Sequence, residues 1–413
     1  MAVTTTAHDP YLALRHRDYR FFIVARFLAS MGVLMQDVAV GWQLYERTHS
    51  TLALGLTGLA SVTPTILFAI PAGTLADRFD RRNIVRIGRI LAGVMSVWLA
   101  LLSATHGPVW MIYAALFVGG VGFAFLAPAQ SALISQVLPG EAFANGVTWN
   151  ATAFQIAATT GPAVAGAMIG ITGSATSVYV TGAIMAAVYI ALMSVVRTRE
   201  QRMDREPVTR RSLAAGLRFV FSEELLLAAI TLDLFAVLFG GATTLLPVYA
   251  KDILHVGPAG LGWLRASPSV GAMLTALWIA HRGPMKRAGT LLLSAVFGFG
   301  VSTILFGVSH SFALSMVALF LIGGFDAVSV VIRSSLLQLR TPDSLRGRVN
   351  AVNGIFVDLS NELGGFESGA VASLVGPLLT VVAGGIGTIL VVIVAGAKWK
   401  SLRELDDLST SLE

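Results

Sequence analysis

The chain keeps a small set of ionisable side chains inside long apolar runs, and these are the residues with the means to do chemistry. Asp37 follows Gln36 and precedes Gln43, a polar stripe within one such run. Asp326 and Arg333 stand seven residues apart in another, which puts them on one helix face two turns apart, too far for direct contact. Asp358 and Glu362 are one turn apart and face together, with Glu367 further along. Arg26 and Asp233 fall in the inner thirds of their runs, on the side of the termini, and Arg265 in the outer third of its own. Charge is costly in a hydrocarbon layer, so each of these groups is a functional candidate. The chemistry open to them is proton carriage: a carboxylate in apolar surroundings takes a proton at one side and releases it at the other. The competing reading is structural, with ion pairs or helix caps holding one conformation. Arg26, Asp233, Asp358 and Glu362 fit that second reading better.

Other chemistries are excluded. The chain has no cysteine, which removes disulfides, thiol nucleophiles and cysteine-based metal sites. Its seven histidines are scattered without HExxH spacing. No GxxxxGK[ST] loop occurs, and no span carries a GxSxG turn, a metal-ligand cluster or a His–carboxylate pair one turn apart. Neither an enzyme, a metal site nor a bound cofactor is expected.

The elements that must carry these residues are membrane helices. Hydrophobic residues make up 55% of the 413, charged residues only 13%, and the mean hydropathy is +0.75. A soluble domain carries roughly 25% charged residues, so lipid is the expected solvent. Twelve runs are long enough to cross a bilayer: 21–45, 51–75, 84–104, 109–136, 145–171, 175–196, 224–249, 259–280, 289–308, 312–338, 349–373 and 376–397. Backbone groups in lipid must be satisfied internally, so these read as helices. The first run is too long for a cleavable signal peptide. Of the 29 lysines and arginines, 24 fall on the side of the termini. That skew places both termini in the cytoplasm and accounts for the net charge of +6 without a nucleic-acid partner.

RTREQRMDREPVTRRS, 197–212, divides the chain into six runs and six runs and reads as a solvated linker leading to a membrane-surface helix. The expected domains are a six-helix bundle over 1–196, a cytoplasmic linker over 197–212, and a second bundle with a short tail over 213–413. AQSALISQVLP (129–139) aligns with IRSSLLQLRTP (332–342), each near the junction of the fourth and fifth runs of its half, which supports duplication.

Two motifs sharpen the reading. GTLADRFDRRN, 73–83, is an abrupt knot of charge after a long uncharged run. Gly73 allows close helix approach, Asp77 can cap a helix end, and Arg78, Arg81 and Arg82 hold the loop at the cytoplasmic face and can pair with Asp80. The stretch resembles the G-x-L-a-D-R-x-G-R-[RK] signature of the major facilitator superfamily, with Asp80 where glycine is usual. GPAVAG, 161–166, resembles the superfamily's exporter-associated G-P-x-x-G-G motif, with Ala165 in place of a glycine. Here Pro162 permits a bend, and Gly161 and Gly166 offer a face for close packing. WQLYERTHSTLALGLTGLASVTPTILFAIPAGTLADRFDRR (42–82), GGFDAVSVVIRSSLLQLRTPDSLRGRVNAVN (323–353) and SNELGGFESGAV (360–371) look like the branch containing the bacterial enterobactin exporter.

The resemblance implies an all-α membrane protein of twelve transmembrane helices in two six-helix bundles. It implies a secondary transporter of the bacterial inner membrane, expected to act as a monomer. The expected activity is proton-coupled export of a small amphipathic, siderophore-like molecule by alternating access. The first, fourth, seventh and tenth spans line the cavity in this superfamily, which favours Asp37 and Arg333 for the substrate or proton pathway. Alternatives in the same class are an importer and a broad drug or macrolide efflux pump. A membrane enzyme or sensor lacks its motifs, and a non-transporting scaffold has little use for mid-span carboxylates.

Overall fold

The structure, a computed structural model, describes residues 9–197, 210–282 and 285–406. Most of the linker lies outside these residues. The first half comprises α1 (Arg17–Thr48), α2 (Thr51–Arg78), α3 (Arg81–Ala104), α4 (Trp110–Val137), α5 (Gly140–Thr172) and α6 (Thr176–Val195). After the linker comes the short α7 (Arg210–Ser222), where the surface helix was expected. The second half comprises α8 (Glu224–Phe239), the three-residue α9 (Leu246–Val248), α10 (Gly257–Ala280), α11 (Ala288–Gly307), α12 (Phe312–Arg340), α13 (Asp343–Val375), α14 (Pro377–Lys398) and the terminal α15 (Lys400–Arg403). Among the described residues, ten helical stretches are long and apolar enough to span a bilayer. α10 and α13 have the length but are more polar, and α13 alone carries Asp358, Glu362 and Glu367.

Local chemistry sets the helix ends. α1 stops at His49, whose left-handed φ of 49° turns the chain. The Ser50 hydroxyl then accepts the Ala53 N–H at 3.3 Å to start α2. The seventh span departs from the continuous run that its sequence suggests. α8 ends at Phe239, a 3₁₀ segment follows over Gly241–Leu245, and a π turn over Tyr249–Ile253 succeeds α9. The cause is Gly240–Gly241: the chain passes so close to the Gly364 carbonyl that a Cβ on Gly241 would collide with it.

Within the first half α1 packs on α5 and α6, and α4 bridges α2 and α3. Within the second, α12 packs on α10 and α11, while α14 packs on α11 and α8. Each half is a helical bundle. The bundles meet where α2 runs along α13 and where α5 runs along α10.

The apolar core shows how they meet. At the end bearing both termini it is divided. Tyr19, Phe22, Leu133 and Tyr189 form one cluster; Leu226, Leu232, Leu336 and Leu402 form another. At the opposite end a single cluster runs through both bundles, joining Met35, Leu44 and Tyr179 to Leu245, Tyr249 and Leu261. The molecule is joined at one end and parted at the other.

Candidate functional site

Between the bundles lies a cavity of about 240 Å³. α1 contributes Asp37 and α2 contributes Thr57, Gly58 and Ser61; from the second half come Thr243, Arg265 on α10, and Asn361 and Glu362 on α13. Asp37 lies deep in the bundle yet is exposed to this cavity. Arg265 is fixed by donation from Nη1 to the Thr243 carbonyl at 3.1 Å. Among the described residues neither Asp37 nor Glu362 forms an ion pair. Two carboxylates and one guanidinium therefore face a shared space, one carboxylate from each bundle. Groups so placed can bind a charged or hydrogen-bonding solute, or protons, in a manner sensitive to the separation of the bundles.

Tight backbone contact closes the end away from the termini. A Cβ on Gly166 would lie 2.8 Å from the Gly262 Cα, so α5 and α10 touch backbone to backbone. A Cβ on Gly55 would lie 3.2 Å from the Gly369 Cα, where α2 meets α13. Side chains add to the seal. The Tyr45 hydroxyl donates to the Asp252 carboxylate and Lys251 lies over the Trp42 ring, while at the middle of α5 and α10 Gln155 donates to the Ser269 carbonyl at 2.7 Å.

The other sequence-derived candidates lie elsewhere. Arg333 is 5% exposed and ion-paired with Asp233, joining α12 to α8 inside the second bundle rather than facing the cavity. Its face-mate Asp326 is half-buried and not among the cavity-lining residues. Gln36 accepts a hydrogen bond from the Ser96 hydroxyl at 2.9 Å within the first bundle. Gln43 is buried and accepts from Tyr179 at 2.7 Å. Asp358 is exposed one turn before Glu362, and Glu367 accepts from Ser368 at 3.4 Å. Arg265 was visible in the sequence only as a charge within a span, and nothing there signalled its place opposite Asp37. The cavity hydroxyls Thr57, Ser61 and Thr243 were not singled out at all, because threonine and serine are ordinary in membrane helices.

The first motif spans the junction of α2 and α3, and the second lies within α5. The surroundings of Gly73 and the side chains of Asp77 and Arg78 lie outside what the structure describes. Asp80 caps α3, accepting the Arg82 N–H at 2.9 Å. Arg82 does not pair with it; its guanidinium donates to the Met193 and Ser194 carbonyls at 3.0 and 2.9 Å, at the C-terminal end of α6. Arg81 begins α3. In α5, Gly161 lies against the Met31–Leu34 stretch of α1, Pro162 presents its carbonyl to Gly262, and Gly166 makes the contact with α10 described above.

Two helical bundles, a charged cavity between them, and closure at one end make this a multi-pass membrane transporter of the major facilitator fold. The chain belongs to the transmembrane secretion effector family, whose profile matches residues 8–411. It is similar to the enterobactin exporter EntS of Shigella flexneri, 25% identical over 383 residues covering 91% of this chain and 90% of that one. EntS of Escherichia coli O1:K1 / APEC is 24% identical with the same coverage. Solved structures agree in fold. A POT family transporter superposes with a TM-score of 0.74 at 13% identity, covering 94% of this chain and 96% of that one. A bacterial homologue of the human lysosomal transporter Spinster gives 0.69 at 14%, covering 96% and 99%. A D-xylose–proton symporter gives 0.67 at 15%, covering 91% and 97%. The chain is a secondary transporter of a small molecule and not an enzyme.

Proposed function

We propose that this transporter exports a small amphipathic, siderophore-like molecule across the bacterial inner membrane by proton antiport, working as a monomer with both termini in the cytoplasm. Residues 1–196 and 213–413 rock against each other about the cavity, joined by the cytoplasmic linker 197–212. The observation that carries the reading is the cavity with Asp37 from one bundle and Glu362 from the other. A proton or cargo bound there acts on both rocking parts at once. The divided core at the terminal end fits a conformation open to the cytoplasm, and the lysine and arginine skew supports that orientation. Similarity to enterobactin exporters supports the cargo class, and the GPAVAG motif supports outward direction. Arg333 braces α12 on α8, and Arg82 ties α3 to α6 beside the cytoplasmic loop. Asp326 and Glu367 lie along the proton route rather than in the cargo site.

Inverted vesicles loaded by this protein with a labelled catecholate siderophore provide the test. Uptake driven by an acid interior is the expected result, with loss when the pH gradient is collapsed. Uptake indifferent to the gradient would refute antiport.

A further inference from the structure

We propose that the first bundle holds an anion site, built on Arg26 and Arg89 near the end bearing the termini, that takes an acidic oxygen of the cargo, a carboxylate or catecholate; the inference rests on the export reading above and deepens it. The first ground is charge without a counter-charge. Arg26 stands five residues into the apolar run that begins at 21, and Arg89 five residues into the one that begins at 84. Both therefore lie about 8 Å along their helices from the edge of the run nearest the termini. The sequence suggested an ion pair for Arg26, yet among the described residues neither arginine forms one. The titratable groups whose charge reaches Arg26 are Arg89, Tyr189 and Tyr19, a second cation and two phenols. Two cations at this depth without an acid are costly, and an anion arriving beside them offsets that cost.

The second ground is the direction of the hydrogen bonds. Arg26 Nε donates to the Asn150 side-chain oxygen at 3.1 Å, and Arg89 Nη2 to the Gln130 side-chain oxygen at 3.1 Å. The Arg89 guanidinium also lies over the Tyr189 ring, 4.9 Å from its centroid. Arginine has no acceptor, so each amide must turn its oxygen to it and keep its NH2 free to donate. Gln130 is 5% exposed, and its Nε2 and the Arg89 Nε are buried without a hydrogen-bond partner. The two amide oxygens are spent, and the groups left unpaired are donors. A buried donor left unpaired is destabilising, and an anionic oxygen, which only accepts, is its complement. An ammonium would meet two like charges instead.

The third ground is position. α1, α3, α4 and α5 each contribute one of these four polar side chains, at the end where the apolar core is divided. Arg26, Arg89 and Asn150 are half-buried rather than sealed, and Ala151 beside them is exposed. Asp37 lies eleven residues beyond Arg26 on α1, about 16 Å along the helix. An acidic group held at the arginines is thus kept off the central carboxylates, which stay available to protons.

The test uses the full-length protein in phosphatidylcholine nanodiscs and three probes on one ring: 3,4-dihydroxybenzoate, 3,4-dihydroxybenzamide and 3,4-dihydroxybenzylamine. Calorimetric binding is expected to rank acid over amide over amine, with the acid at least about tenfold tighter than the amide. Arg26→Gln and Arg89→Gln are each expected to reduce that ratio to about threefold or less, while Arg265→Gln keeps it. Should the arginine variants not fold, Ala151→Cys in this cysteine-free chain gives a second reading. The acid is expected to slow its maleimide labelling at least about threefold, and the amide to leave it unchanged. No preference for the acid, a preference lost in Arg265→Gln but kept in both arginine variants, or an unprotected cysteine overturns the proposal. So does acid binding abolished by phosphatidylglycerol in the nanodisc, which assigns the arginines to lipid phosphate. Vesicle efflux of the siderophore is scored separately. Efflux without acid preference overturns this inference alone, and acid preference without efflux overturns the export reading alone.

Discussion

Replacing one member of the Arg333–Asp233 pair is expected to destabilise the second bundle far more than replacing both. The two side chains are only 6% and 9% exposed, so water does little to screen what remains when one is removed. Asp233→Leu leaves a guanidinium buried among Ile230, Leu232, Ile332 and Leu336 with no counter-charge. Breaking such a pair costs about 3–5 kcal/mol, whereas replacing both partners by apolar residues of similar volume is often neutral or stabilising. The double variant Asp233→Leu/Arg333→Met should therefore recover at least about 2 kcal/mol relative to either single variant. Unfolding free energies of the four proteins in mixed micelles supply the coupling energy. A single variant costing less than about 1 kcal/mol, or a double variant no better than the worse single, would show that burial does not govern this pair. Transport by the double variant is a second reading of the same cycle. Retained efflux marks the pair as a brace, and a stable but inactive double variant places Arg333 on the pathway.

Further outcomes are expected. Gly166→Leu drives a side chain into the Pro258 carbonyl and Gly262, so it should hold the bundles apart at the sealed end; spin labels on α5 and α10 should move apart there, and unchanged distances would contradict the packing. Tyr45→Phe removes a cross-bundle hydrogen bond and should shift the population by about 1 kcal/mol toward opening at that end, read from the same labels. Asp80→Ala deletes the α3 cap and should cost about 0.5–2 kcal/mol of stability by thermal unfolding. The natural lack of cysteine makes single-cysteine labelling clean: a cysteine at Ser61 should react with a membrane-impermeant maleimide from the cytoplasmic side alone in the state described.

Much of the architecture is written in the residue order, because a bilayer imposes one demanding length on each apolar run. The runs beginning at 21, 51, 312 and 376 match α1, α2, α12 and α14 within a few residues. α13 begins earlier than its apolar run, since Asp343–Asn350 is polar and still helical beyond the hydrocarbon. The break at Gly240–Gly241 was hidden, because a pair of glycines in an apolar run reads equally as close packing. The site was only half legible. Cost in lipid marks Asp37 and Glu362 one by one, but their meeting across a cavity depends on how two bundles dock, which no local pattern encodes. Spacing correctly separated Asp326 from Arg333 and could not name Asp233 as the partner, since that contact joins distant helices.

Glycine against glycine at the sealed end has a mechanical consequence. Bare backbone surfaces have no rotamers to sort, so the two faces can part and rejoin many times without searching for a fit. Speed of resealing then depends on the surfaces being smooth, and a single added methyl group on Gly166 or Gly369 works as a doorstop. Wear-free closure of this kind suits a machine that must shut behind every molecule it releases.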